Sequence, residues 1–166
     1  MATENLKSTS ITNRDADPKV LSDAILLKGS MLEGCGVVAA TAATEAASTY
    51  RMGQIPSNAR VSQILLSSDA MGDTGTVDIG IYQTTDNGGA VVDADHFGSA
   101  VVITSALKNS DVTHESGVFG IEDSEKPLWS ALGLTEDPRI NYDIVITATA
   151  ALADGGDMAL KFRFAV

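Results

Sequence analysis

Few residues in this chain could do chemistry. Asp93-Ala94-Asp95-His96 sets two carboxylates at alternate positions beside an imidazole, with Asp86 a short way upstream and Asp69 and Asp73 on another loop. Alternate acidic oxygens on a turn hold hard cations such as calcium, and an imidazole nearby adds the chemistry of a transition-metal site. A calcium loop of the Asp-x-Asp-x-Asp-Gly type with a trailing Glu is not present, so the segment is read as a solvated polar turn and no metal ligand is assigned. Nucleophilic catalysis of the Ser/His/Asp kind needs a histidine to take the proton, and His96 and His114 are the only two. His114 precedes Glu115 and reads as a local pair on a loop. Cys35, the single cysteine, excludes an intramolecular disulfide. Flanked by Gly34 and Gly36 at the start of an apolar run, it reads as a small buried thiol rather than a nucleophile. The sequence holds no Gly-x-Ser-x-Gly elbow, phosphate loop, zinc helix or dinucleotide fingerprint. No catalytic residue and no cofactor is therefore expected.

What remains is a scaffold that works by its surfaces. At 166 residues the chain has the length of one domain, which buries about 70% of its unfolded surface. Hydrophobic residues make up 44% and charged residues 20%, a balance that folds. Only four Phe, three Tyr and one Trp are present, so Val, Ile and Leu must build the core. Twenty-two acidic residues against 11 basic ones give a net charge of -11, which argues against nucleic-acid partners and anionic membrane surfaces. No apolar run reaches the ~20 residues that span a bilayer, and Met1–Ser10 lacks a signal-peptide core. Synthesis in the cytoplasm is expected.

From Gly34 onward, apolar runs alternate with Gly, Asp, Asn and Pro clusters, the punctuation of a β-protein. Strands are predicted at 36–41, 48–54, 60–67, 76–84, 99–103, 117–121, 141–150 and 158–166. Alternation is clearest for Val77, Ile79 and Ile81, for Tyr142, Ile144 and Ile146, and for Met158, Leu160, Phe162 and Phe164. Asp86-Asn87-Gly88-Gly89 reads as a tight turn, and Asp154-Gly155-Gly156 as a hairpin that makes the last two strands antiparallel neighbours. The alanine-rich stretch 37–47 is read as strand, then loop. A short helix is predicted over Pro127–Leu132, stopped by Gly133, with Trp129 as a core plug. The fold class is all-β, an antiparallel jelly-roll-like sandwich of about eight strands over 34–166.

Residues 1–33 read as an N-terminal arm with a short helical segment. Asp17 and Pro18 form a helix-start signal, Val20, Leu21, Ala24 and Ile25 follow at helical spacing, and Lys28-Gly29 makes a stop. Such an arm either lids one end of the sandwich or docks on a neighbour. Ile11, Arg14, Val20, Leu21, Ile25 and Leu27 are the candidate contact residues of the arm, and Asp73 and Asp86 those of the loops.

Segments along nearly the whole chain carry a resemblance. They include Ile11-Thr12-Asn13-Arg14-Asp15, Tyr50-Arg51, Pro56-Ser57-Asn58-Ala59-Arg60-Val61-Ser62, Gly89-Ala90-Val91-Val92-Asp93-Ala94-Asp95 and Asp111-Val112-Thr113-His114-Glu115-Ser116. Glu125-Lys126-Pro127-Leu128-Trp129, with Leu132-Gly133-Leu134, Asp137-Pro138 and Tyr142-Asp143, is the most distinctive. In their order these segments resemble small structural proteins of tailed-phage particles that decorate or cement the capsid. The resemblance implies a virion protein on the outer capsid surface. Its partners would be the major capsid protein of the same phage and copies of itself, as a dimer or trimer, with no nucleic acid and no membrane. The alternative is a tail- or fibre-associated sandwich that binds carbohydrate or a receptor, for which the aromatic supply is thin.

Overall fold

The structure, a computed structural model, describes residues 6–166, so the first five residues of the predicted arm lie outside the described residues. Eight strands follow two short helices, α1 (Thr9–Asp15) and α2 (Ala24–Lys28). The strands are β1 (Met31–Ala40), β2 (Thr49–Pro56), β3 (Arg60–Ser68), β4 (Thr76–Gln83), β5 (Val91–Val102), β6 (Leu107–Asp111), β7 (Asn141–Ala148) and β8 (Gly156–Ala165). A third short helix, α3 (Leu128–Ala131), lies between β6 and β7.

Two four-stranded sheets, ordered β1-β8-β3-β6 and β2-β7-β4-β5, contain only antiparallel pairs. This interleaving of early and late strands is that of a jelly roll, so the all-β sandwich expected from the sequence is the fold observed. The inner faces follow the predicted alternation. Val77, Ile79 and Ile81 of β4 meet Ile144 and Ile146 of β7, and Met158, Leu160, Phe162 and Phe164 of β8 close on them from the other sheet. A bulge between Val61 and Gln63 lets Val61 and Ile64, three apart, both face inward.

Glycine sets how closely the sheets approach at one side. The ring of Phe162 fills the space beside Gly34 and Gly53, and the Met52 carbonyl lies against Gly36. A Cβ at any of the three would overlap those atoms.

Several expectations are corrected. The segment 117–121 is not a strand: Gly117 has a φ of 74°, and Phe119 instead plugs the core beside Phe97. The sixth strand is β6, whose polar sequence gave no apolar signal. The predicted 99–103 strand is the end of the much longer β5, which starts at Val91. β1 likewise starts at Met31, ahead of 36.

The last two strands are not hairpin neighbours, since β7 and β8 lie in different sheets. Their connection crosses the end of the sandwich, where Leu152 bridges to Thr44. Gly155 serves there by its lack of a side chain, because a Cβ would press on the backbone of Ala40 and Ala42. The turn after β4 does use positive φ, at Gly88 (98°) and Gly89 (69°), as a tight turn requires, and it joins the antiparallel pair β4 and β5.

Cys35 is exposed rather than buried, because it falls on the outward face of β1. Trp129 is half-buried and outside the core; Leu128 of α3 is the fully buried plug. The helix expected from Asp17-Pro18 does not form either. Asp23, not Asp17, is the N-cap: its Oδ1 accepts from the Ile25 N–H at 2.9 Å, which starts the helical turn six residues later.

Candidate interaction surface

The arm has no buried residue in either helix, although both contain apolar side chains. It is held to itself by polar contacts. Asn13 donates to Ser22 Oγ at 3.2 Å, the Val20 N–H donates to the Asn13 carbonyl at 3.2 Å, and Lys7 pairs with Asp15 at 2.9 Å. Arg14 donates to Asp15 at 2.8 Å, and with Lys7 it pulls the Asp15 carboxyl down to about 2.

This folding of the arm gathers five of the six predicted contact residues there. Ile11, Arg14, Val20, Leu21 and Leu27 line one open notch with Ser10. Leu21 is 96% exposed and Leu27 57%, so the notch presents aliphatic surface to solvent. Ile25 is the exception. It is half-buried, lies against Gly29, and its carbonyl accepts from Arg60 Nη2 of β3 at 2.7 Å. That bond tethers the arm to the sandwich. Arg14 is engaged with Asp15 rather than free for a partner.

Asp73 and Asp86 are both exposed, and the fold separates them. Asp73 precedes β4 and Asp86 follows it, so a strand of eight residues, roughly 25 Å, stands between them. Asp86 shares its end of the sandwich with the arm. There the turn is braced by Arg51 of β2, which donates to Asp143, to the Gln83 carbonyl at 2.9 Å and to the Gly89 carbonyl at 3.2 Å. Asp73 lies at the other end, where Thr74 Oγ1 donates to the Ala151 carbonyl at 3.1 Å.

Asp69, Asp93, Asp95 and His96, weighed for a metal, are spent on local contacts. His96 turns into the core, where its Nδ1 meets Asp93 Oδ2 at 2.9 Å and its Nε2 is buried with no hydrogen-bond partner. Asp95 accepts from Ser99 Oγ, and Asp69 from the Asp157 N–H. Among the described residues no group of three His, Cys, Asp or Glu side chains could hold a metal ion. His114 does not pair with Glu115: its Nδ1 meets the Phe119 carbonyl at 2.9 Å, its ring stacks on Phe119, and Glu115 accepts from the Ser99 N–H.

One surface escaped the sequence reading. β1 exposes Met31, Leu32 and Val37, yet an apolar residue on a strand is ordinarily assigned to the core face. No helix of the described residues is long and apolar enough to cross a membrane.

No family model matches the chain, and no curated protein matches it. Solved structures do. A chain of the capsid of Ralstonia phage GP4 aligns at a TM-score of 0.60 and 17% identity, over 82% of this chain and 84% of that one. A chain of the capsid asymmetric unit of cyanophage Pam1 aligns at 0.50 and 16% identity, over 84% of this chain and 87% of that one. In fold, this chain is similar to those two chains of phage capsids.

Proposed function

We propose that this chain is a structural protein of a tailed-phage virion, a decoration or cement protein that binds the outer surface of the coat lattice and stabilises it, without a catalytic role. The observation that carries this reading is the arm notch: aliphatic side chains gathered on one face, tethered to a rigid sandwich by Arg60 and covered by no other of the described residues. Apolar surface of that kind seeks a protein partner. The similarity in fold to chains of two phage capsids supports the choice of a coat lattice as that partner.

The physical logic is avidity. An arm that orders on a neighbour gives weak individual contacts, and linkage through one rigid body multiplies them across a repeating lattice. The net charge of -11 keeps the free protein soluble and favours docking on neutral or basic coat surface. A sugar-binding module would need exposed aromatic platforms. Tyr82 and Tyr142 are buried, and Tyr50 and Trp129 are half-buried.

The test is sedimentation of the purified chain with coat shells that lack it. Co-sedimentation saturating at a simple ratio to coat subunits is the expected result. A chain that stays in the supernatant at every concentration overturns the proposal.

A further inference from the structure

Each sheet has two edge strands, and three of the four edges carry devices that block pairing with another chain. β6 is only five residues long, with Lys108 on it and Asn109 at a φ of 50°. β2 is bulged between Arg51 and Gly53 and ends on Pro56. β5 shifts register three times against β4, and Ala100 sits at a φ of 51°.

β1 has none of these. It pairs with β8 over ten consecutive residues without a register shift, contains no Pro, Lys or Arg, and has no second backbone partner among the described residues. Its outward face reads Met31, Glu33, Cys35, Val37 and Ala39, with Val37 65% exposed. The single charge, Glu33, is paired with Arg163 at 2.6 Å, whose Nη1 also donates to Gln63. An unblocked, regular, apolar edge is a template for another strand.

We infer that this edge pairs with the same edge of a second copy, antiparallel about a two-fold axis through Cys35, to form a dimer with a continuous eight-stranded sheet. Apolar match and the absence of charge conflict select this occupant. The two-fold register sets Met31 against Ala39 of the second copy, Leu32 against Val38, Glu33 against Val37, and Gly34 against Gly36, so apolar side chains meet at the ends of the seam, glycines meet beside its centre and no like charges oppose. The edge has no uncompensated charge to recruit the basic or acidic strand of a different protein. An isologous contact needs only itself. This inference goes beyond the virion reading and does not depend on it.

The register gives a direct test, since Cys35 is the chain's single cysteine and would face its own copy at the distance of a cross-strand pair. Light scattering of the isolated full chain, kept reduced, is expected to give twice the chain mass, and a short bismaleimide to yield a covalent dimer that Cys35→Ser abolishes. Val37→Glu sets a carboxylate against Glu33 of the second copy and is expected to raise the dimer dissociation constant about tenfold or more, with an unchanged circular dichroism spectrum. Val37→Lys, facing the same Glu33, is expected to retain the dimer. A monomer mass for the parent chain, the absence of a Cys35-linked product, or equal loss of dimer in both Val37 variants overturns the inference. None of these outcomes bears on binding to coat shells.

Discussion

The ring of Phe162 on β8 occupies the space that a side chain at Gly34 on β1 would need. Gly34→Ala must therefore push Phe162 from its place or open β1 from the sheet. The expected cost is about 2 kcal/mol, the range of overpacking in a filled core, read as a lower denaturant midpoint. Phe162→Leu in the same background should return part of that loss, and a double-mutant cycle would measure the coupling.

Arg51 joins three elements at one point. It pairs with Asp143 of β7, holds the carbonyls of Gln83 at the end of β4 and of Gly89 in the turn that follows, and lies 5.9 Å from the Tyr82 ring centroid. Arg51→Ala leaves the Asp143 carboxylate buried without its counter-charge. A loss of about 2 kcal/mol is expected, below the value for a fully buried pair because Arg51 is partly exposed. Arg51→Lys should recover little, because one ammonium cannot reach all three acceptors. Hydrogen exchange at Gly88 and Gly89 would report the freed turn.

Leu21 stands almost wholly in solvent among the described residues. Leu21→Asp is expected to change unfolding free energy by less than about 0.5 kcal/mol, as for other surface positions. On the proposed function the same change weakens co-sedimentation with coat shells about tenfold, the effect of placing a charge in an apolar contact. Asp73→Ala, at the opposite end of the sandwich, is expected to leave it unaltered if the arm end faces the coat.

Acid should unfold the protein by way of specific carboxylates. Asp137 lies below the usual range because Ser57 and the Arg139 N–H donate to it. Burial opposes the charge on Asp123, but Lys126 and the Gly120 N–H more than offset this and hold it low as well. A carboxyl whose pKa is depressed on folding adds stability above its unfolded value, about 3.9, and loses it as pH falls through the folded value. Urea midpoints should thus be flat from about pH 7 to 5 and fall below about pH 4. Asp137→Asn should start lower and fall less steeply.

The strands that were legible in the sequence are those whose apolar residues recur at every second position. β8 alternates because each inner residue meets the opposite sheet while its neighbours reach solvent, whereas in β4 and β7 the polar residues Asp78, Asp143 and Thr147 keep the period readable although Val145 on the outer face is fully buried. β6 was not legible, because an edge strand of Leu-Lys-Asn-Ser-Asp buries almost nothing and has no period to read. Val118 and Phe119 misled in the opposite sense: Phe119 is fully buried, but from a turn, which local pattern does not distinguish from a strand. The hairpin between β7 and β8 failed because glycine serves close approach as well as positive φ, and the sequence is the same for both. In the candidate surface, the arm residues were legible as an apolar set that either lids the sandwich or meets a neighbour. The opposite placement of Asp73 and Asp86 was not, since it depends on which ends of β4 the chain enters and leaves.

The position of β8 between β1 and β3 has a consequence for how the protein is born. Met31 pairs with Ala165, and Arg60 with the same residue, so two strands made early wait for one made late. Until residues 156–165 have left the ribosome, β1 and β3 have no central partner, and the inner face of that sheet is open to water. Long sequence separations of this kind slow folding, because loop closure must be completed before the contacts reward it. The sandwich therefore assembles after translation of β8 rather than strand by strand. In a cell making many copies at once, the nascent chain is exposed to its neighbours through two unsatisfied strands for the time that a ribosome needs to cover some hundred codons.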